Sequence, residues 1–179
     1  MGGRVPCLVR SVRRDRHGRH RLDIGDGPPL CRWRKRGAFA HAIGRSRGGR
    51  TTKVHALTDD LGRPRALCLT PGQTHDLIGA SALLSAAPIP RRLLADRAYD
   101  AGKLRDWLAE RGCEPVIPPN PTRKHPHPYD RDAYRLRNLI ERAFCRLLDY
   151  RRVATRYDKR ADTYRATVLI AAIVIWWIN

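Results

Sequence analysis

The order of elements after Gly44 restricts the fold of this chain more than any other feature of its sequence. Two alternating segments joined by a Leu-Gly-Arg-Pro turn predict a β-hairpin. Helices and short apolar strands then follow one another, which predicts an α/β mixed sheet with helices on its faces. The predicted elements are strands at 51–58 and 65–70, a helix at 76–86, a strand at 91–95, a helix at 101–111, a strand at 114–117, a helix from 134 and a last helix from about 161.

One acidic residue, Asp96, directly follows the predicted strand 91–95. In open sheets of this kind, ligands bind beyond the carboxyl ends of the strands. Asp96 is therefore placed where a functional site is expected.

The helix that begins at Tyr134 is amphipathic, because its apolar residues recur at steps of three and four. Tyr134, Arg137 and Glu141 follow one another at i, i+3 and i+7, so they lie along a single stripe. A carboxylate flanked by cations suits a divalent metal beside a phosphate, and it equally suits a solvated ion pair. The apolar positions are Leu136, Leu139, Ile140, Ala143, Phe144 and Leu147.

The chain is strongly basic, with 36 Lys and Arg residues against 17 acidic ones and a net charge of +19. Such an imbalance opposes a compact fold unless a polyanion is a normal partner, so nucleic acid is the expected partner. The basic glycine loop before the hairpin is the best candidate for phosphate contacts, although a solvated loop is the alternative. Its cations are Arg45, Arg47, Arg50 and Lys53.

Cysteine spacing and apolar runs indicate a cytoplasmic protein without a membrane span. The five cysteines form no paired C-x-x-C motif, which argues against a zinc site and a disulfide framework. The first residues lack the apolar stretch of a signal peptide. The last apolar run, 168–178, is shorter than the ~20 residues that a spanning helix needs, so a buried terminal helix is predicted.

Several acidic and aromatic residues have simpler interpretations than a catalytic one. Asp76 is expected to cap a helix rather than bind metal, and Asp100 is expected to cap the next helix. Asp59 lies at the hairpin turn, where Asp is favoured for backbone reasons. Trp176 and Trp177 are expected in a core or an interface.

Residues 1–36 differ from the remainder of the chain. They are rich in Arg, show neither strand nor helix periodicity, and contain a Gly-Asp-Gly-Pro-Pro run that breaks any element. This segment is predicted to be poorly structured and to lie outside the folded domain.

Four ordered stretches resemble the insertion-sequence DDE transposases, specifically the class-five branch of the class-four-like superfamily. The resemblance covers Ala40 to the C-terminus. It implies an RNase-H-like catalytic domain at 37–179 that cuts transposon ends and joins them to target DNA with two divalent ions, Mg²⁺ or Mn²⁺. The stretches are GRSRGGRTTKVHALTDDLGRPRALCLTPGQTHD, LLADRAYDA, VIPP and YDRDAYRLRNLIERAFCRLLDYRRVATRYDK.

The resemblance also implies roles for single residues. Asp96 matches the second catalytic aspartate, and Glu141 matches the catalytic glutamate of the Y-x2-R-x3-E-x6-K motif; both would be metal ligands. Tyr134 and Arg137 are the first members of that motif, and Arg137 would lie near the scissile phosphate. The final Lys of the motif is replaced by Leu148, so Arg146 or Arg151 is expected to take its DNA contact.

The first catalytic aspartate has no clear counterpart. The family carries it on the leading strand about twenty residues before the glycine loop, where this chain has only Asp23 and Asp26 without a predicted strand. A sheet incomplete at its N-terminal strand is therefore predicted. Codons for His20 to Ile24, read one base later, can encode Ile-Asp-Ser-Thr-Ser. We hypothesise that residues 1 to about 36 are translated out of the ancestral frame.

Two functions remain open on the sequence alone. The first is a transposase that cleaves and joins DNA, impaired in this copy. The second is a catalytically inactive DNA-binding remnant, or a regulator that forms mixed oligomers with full-length transposase. The partners expected are transposon-end and target DNA, with a homo-oligomer as a further expectation, in a bacterial cytoplasm at the nucleoid. An RNA-binding protein is a weaker alternative, because no RNP-type aromatic motif is present.

Overall fold

The computed structural model describes residues 7–15, 41–46 and 49–178. Within these ranges the chain forms a mixed sheet with helices on both faces. The strands are β1 (Cys7–Asp15), β2 (Gly44–Ser46), β3 (Gly49–Thr58), β4 (Pro64–Pro71), β5 (Arg92–Ala95) and β6 (Glu114–Val116). The α-helices are α1 (Asp76–Ala86), α2 (Gly102–Ala109), α3 (Arg131–Arg135), α4 (Asn138–Asp149), α5 (Arg151–Thr155) and α6 (Ala161–Ile173), and a 3-10 turn covers Arg97–Tyr99.

The strand order places an antiparallel half beside a parallel half. β1 pairs antiparallel with β3, and β3 pairs antiparallel with β4 and with the short β2. On its other side β1 pairs parallel with β5, and β5 pairs parallel with β6. The α/β mixed sheet predicted from the order of elements is therefore confirmed.

Two apolar cores cover the two faces of the sheet. One face packs against α1 and α2, with Leu83, Leu84 and Leu108 among its buried side chains. The other face packs against α4, α5 and α6, where Phe144 and Tyr164 are buried. Because both faces are covered, eight consecutive residues of β3 are buried instead of alternating.

The prediction that residues 1–36 are poorly structured is wrong for residues 7–15. These residues form β1, the strand that joins the antiparallel and parallel halves, so the sheet also has the strand that the sequence predicted to be missing. β1 is held by backbone hydrogen bonds to β3 and β5. Because these bonds do not depend on side chains, the sequence of the segment shows no alternation. Asp23 and Asp26 lie outside the described residues.

The helix predicted from Tyr134 onward is divided into α3 and α4. Leu136 and Arg137 remain in right-handed helical conformation, but their N–H groups bond three residues back, to Ala133 and Tyr134. This tight turn rotates Leu136 out of the apolar face, and its side chain is 49% exposed. The apolar face of α4 is buried as predicted, through Ile140, Ala143, Phe144 and Leu147.

The C-terminal helix is buried along one face alone. Ala161–Ile178, which continues α6 by a π-helical turn, is long and apolar enough to cross a membrane by length and composition. One face packs on the core through Tyr164, Val168 and Ala172, as core helices of globular proteins also do. The opposite face exposes Ile170 and Trp177, so the prediction of a buried helix holds for one face alone.

Candidate catalytic edge and nucleic-acid interface

Asp96 lies at the carboxyl end of β5, where the sequence placed it. Its backbone is extended, and its Oδ1 accepts a hydrogen bond from the N–H of Ala98 at 2.8 Å, which caps the 3-10 turn. The side chain remains partly exposed. A capping carboxylate keeps its second oxygen available for another partner.

Glu141 lies in the first turn of α4 beside Arg137. An Nη2 of Arg137 contacts Oε1 of Glu141 at 2.7 Å, and the two side chains are 25% and 39% exposed. The Arg137 guanidinium also lies over the ring of Tyr134, 5.5 Å from its centroid. The predicted stripe of phenol, guanidinium and carboxylate therefore exists, despite the break between α3 and α4.

The charges of Asp96 and Glu141 both raise the pKa of one phenol, that of Tyr134. Partial burial raises the pKa of Tyr134, and the positive charge of Arg137 opposes this change. The negative charges of Asp96 and Glu141 each raise the pKa of Tyr134 further. Since Coulomb interactions weaken with distance, the carboxylates of β5 and α4 share one neighbourhood around Tyr134.

The register of β1 shows which residue stands beside Asp96 in the sheet. Val9 pairs with Ala95, so Arg10 occupies the position next to Asp96. The only acidic residue of β1 is Asp15, five residues farther along, which is about 17 Å in an extended strand. β1 thus carries a basic residue at the level of Asp96 and no carboxylate near that level.

The described residues do not fit a two-metal centre. Within 7–15, 41–46 and 49–178 no group of three His, Cys, Asp or Glu side chains is placed to hold a metal ion. Asp96 and Glu141 supply two carboxylates, and Glu141 is already paired with Arg137. A pair of hard divalent cations requires more oxygen ligands than these.

The basic hairpin of β2 and β3 places two predicted DNA-contact residues opposite each other. Arg45 and Arg50 are cross-strand partners, and both are exposed. Like charges directly opposite destabilise a strand pair, so an anion between them would stabilise the hairpin. Ala56 of β3 pairs with Arg10 and therefore lies at the level of Asp96. Arg50 is six residues earlier in β3, which places it about 20 Å beyond Asp96. Arg47 lies outside the described residues.

The prediction that Lys53 contacts phosphate is wrong, because its side chain is 1% exposed. Its Nζ donates to Oδ1 of Asp76 at 2.8 Å and to the carbonyl of Thr74 at 2.5 Å. Asp76 therefore has neither of the two roles considered for it: the cap position of α1 is His75, and the carboxylate is the buried partner of Lys53.

Arg146, the proposed substitute for the missing Lys of the motif, lies over the Trp176 ring at 5.9 Å from its centroid. Leu148, at the motif position itself, packs partly buried against the core. Trp176 belongs to the same core, whereas Trp177 is 52% exposed.

A network around Asp100 was missed by sequence reasoning. The cap position of α2 is Ala101, so the prediction that Asp100 caps this helix is wrong. The Asp100 carboxylate instead accepts from Arg105 Nε at 2.8 Å and from the Asn120 N–H at 2.7 Å, and Arg123 Nε lies 3.3 Å away. Burial raises the pKa of Asp100, but these hydrogen bonds and charges outweigh it and lower the pKa. Its partners lie 5 to 23 residues away, beyond any local pattern.

Comparisons with known proteins agree on one family. Residues 27–177 match the family model described as Transposase DDE domain. The chain is 38% identical over 127 residues to the Brucella ovis protein named "Putative transposase for insertion sequence element IS6501". This match covers 70% of this chain and 98% of that relative. It is 31% identical over 157 residues to the Burkholderia cepacia protein named "Putative transposase for insertion sequence element IS402", covering 82% of this chain and 71% of that relative. The chain belongs to the insertion-sequence DDE transposases, the family whose function is DNA transposition.

Proposed function

We propose that this chain is an RNase-H-like transposase domain that binds transposon DNA at the edge carrying Asp96 but completes little or no strand transfer. The observation that carries the proposal is the register of the sheet. Asp96 and Glu141 act on one phenol, while Arg10 occupies the level of β1 at which a third carboxylate would complete the set. The strand order, an antiparallel hairpin on one side of β1 and parallel strands on the other, supports the RNase-H-like fold.

The chemistry expected of the family depends on clustered carboxylates. When bound, two divalent cations would activate the attacking oxygen and stabilise the leaving oxygen. Among the described residues, Asp96 and Glu141 are the ones that would hold such ions, and two carboxylates do not suffice for both ions. Arg137 contacts Glu141 through Nη2 at 2.7 Å, and the other N–H donors of its guanidinium would bind a phosphate.

The basic surface supports DNA binding independently of catalysis. The exposed Arg45 and Arg50 lie beyond the same edge of the sheet as Asp96, and the whole chain carries a net charge of +19. A protein of this kind binds duplex DNA by displacing counterions, so its affinity falls steeply with salt. This retained surface favours an inactive DNA-binding protein, able to mix with full-length transposase, as the second candidate function.

The experiment is a cleavage and binding assay with duplexes from the ends of the insertion sequence that encodes this chain. We expect salt-sensitive binding, and in Mg²⁺ no cleavage beyond that of the Glu141→Gln variant. Efficient cleavage that Glu141→Gln abolishes would contradict the proposed impairment. Equal affinity at low and high salt would contradict the DNA-binding function itself.

The out-of-frame origin of residues 1–36 is a second part of the proposal. It rests on the codons for His20 to Ile24, which read one base later can encode Ile-Asp-Ser-Thr-Ser; these residues lie outside the described part of the chain. Sequencing the gene tests it directly. A shifted frame upstream of Gly37 that encodes an Asp-Ser/Thr strand would support the proposal, and the absence of such a frame would refute it.

A further inference from the structure

The loop that follows β6 leaves the sheet beside Asp96. Leu94 pairs with Val116 in parallel register, so Asp96 and Pro118 both lie two residues beyond the paired positions. The residues after Pro118 therefore start at the catalytic edge rather than at the opposite end of the sheet. We call residues 120–129 the basic loop; its cations and histidines are Arg123, Lys124, His125 and His127.

One buried carboxylate fixes this loop. Asp100, whose side chain is 1% exposed, accepts from the Asn120 N–H and lies 3.3 Å from Arg123 Nε. Arg105 holds Asp100 from the other side at 2.8 Å and donates to the carbonyl of Ile117 at 2.8 Å, which fixes the start of the loop as well. Such charge-assisted bonds to a buried acid hold a loop in one geometry.

The far end of the loop packs against the catalytic stripe. The Tyr129 ring meets the Tyr134 ring edge to face at 5.6 Å between centroids, and Tyr134 is the phenol on which Asp96 and Glu141 act. The basic loop is therefore tied to the candidate site through Asp100 at one end and through Tyr129 at the other.

The cations of the loop divide into an anchor and a contact. Arg123 is 29% exposed, shares the Asp100 carboxylate with Arg105, and has its Nη1 2.9 Å from His127 Nε2. Lys124 and His125 follow it and are exposed. An exposed ammonium on a fixed loop provides a phosphate contact without the entropy cost of ordering a mobile segment.

We propose that the basic loop is a phosphate-binding element for the DNA backbone, with Lys124 as its contact and Asp100 as the positioning residue that holds it at the catalytic edge. This inference rests on the proposed DNA-binding function and adds a contact surface to the hairpin of Arg45 and Arg50. The partner is duplex DNA, recognised through its phosphodiester charge, so binding through this loop carries no base sequence preference.

The test measures the salt dependence of binding to a fluorescein-labelled transposon-end duplex by anisotropy, for the wild type, Lys124→Gln and Arg91→Gln. Arg91 is a matched control, because it is exposed and precedes β5, five residues or about 17 Å from Asp96 at the opposite end of that strand. The slope of log affinity against log salt is negative, and loss of one phosphate contact makes it shallower by about 0.9. We expect that change for Lys124→Gln and a smaller one for Arg91→Gln; equal effects of both would overturn the proposal.

Asp100→Asn separates positioning from charge. The variant keeps every cation and removes a negative charge, so charge alone predicts a slope at least as steep as that of the wild type. Positioning by Asp100 predicts the opposite, a slope that is shallower by about 0.9. A wild-type slope in folded Asp100→Asn would refute the positioning role. A wild type that binds without salt dependence would instead refute the proposed function, which keeps the two failures distinguishable.

Discussion

Lys53 and Asp76 form an ion pair inside the protein, joining β3 to the first turn of α1. Their side chains are 1% and 2% exposed, and Nζ lies 2.8 Å from the carboxylate. Two charges removed from water in this way depend on each other, because the loss of one leaves the other without compensation.

Asp76→Ala is therefore expected to lower the free energy of unfolding by about 3–5 kcal/mol, since Lys53 would remain buried without its carboxylate. Urea unfolding measures this change. The double variant Lys53→Met with Asp76→Leu is the control, and it should recover most of the loss because neither charge remains. If the double variant were as unstable as Asp76→Ala, packing rather than charge would explain the effect.

His55 is the neighbouring buried base on β3. Burial, and then the positive charge of Lys53, lower its pKa from 6.5 to about 3. Its Nε2 lies 2.7 Å from Thr70 Oγ1, and the ring packs so closely on Gly79 that a Cβ there would lie 2.4 Å from it. His55 is thus neutral in the folded protein.

This lowered pKa predicts a loss of stability in acid. The unfolded chain binds a proton near pH 6.5 that the folded chain rejects, so the contribution is complete above pH 6.5 and is lost as the pH falls toward 3. Between pH 7 and pH 5 the cost is about 2 kcal/mol. Urea unfolding at pH 7 and pH 5 should show that the wild type loses about 2 kcal/mol more free energy of unfolding than His55→Gln does. Parallel losses in the two proteins would show that His55 titrates normally.

The turn between β3 and β4 connects the hairpin to the helix that carries Glu141. Gly62 has φ +75°, and a Cβ at this position would lie 3.2 Å from the carbonyl oxygen of Leu139 at the start of α4. Asp59 shapes the same turn by accepting from the N–H groups of Leu61 and Arg63, which confirms the backbone role predicted for it.

Gly62→Ala is expected to destabilise the protein by about 1 kcal/mol or more, because the new side chain meets both an unfavourable φ and the α4 backbone. Gly102→Ala is the matched control. Nothing lies within 4 Å of a Cβ there, in the first turn of α2, so a gain of about 0.5–1 kcal/mol is expected. Thermal unfolding compares the two, and a neutral Gly62→Ala would indicate that the turn and α4 adjust freely.

Elements bounded by local signals were predictable from the sequence. The hairpin, α1, β5, α2 and β6 were predicted within a few residues, because alternation, Gly and Pro mark their ends. β1 was not predictable, since its stability comes from pairing on both sides with distant strands. The burial of Lys53 was hidden for a related reason: β3 is covered on both faces, so no alternation shows which of its residues meet solvent.

The candidate site divides in the same way. Asp96, Arg137 and Glu141 follow motifs that resemblance identified, and the structure places them around Tyr134. Asp100 depends on partners brought together by the parallel pairing of β5 and β6, which no local pattern in the sequence marks. Tertiary contacts of this range are set by the fold as a whole.

Across the whole molecule, the basic residues proposed to bind DNA are present, whereas the carboxylates needed to cut it are not all found among the described residues. The hairpin arginines and the basic loop both lie at or beyond the edge of the sheet that carries Asp96, whereas the described residues bring no three metal-binding side chains together. We propose that such a domain binds DNA ends without processing them. We therefore infer that the carboxylate set of the described residues is incomplete for cleavage.

Calorimetric titration of the chain with Mn²⁺, beside Glu141→Gln, tests this claim most directly. Mn²⁺ prefers the same oxygen ligands as Mg²⁺. Two carboxylates, one of them paired with Arg137, predict that the wild type takes up Mn²⁺ no more tightly than Glu141→Gln does. Binding of two ions by the wild type that Glu141→Gln abolishes would contradict it, because two ions require more oxygen ligands than Asp96 and Glu141 supply.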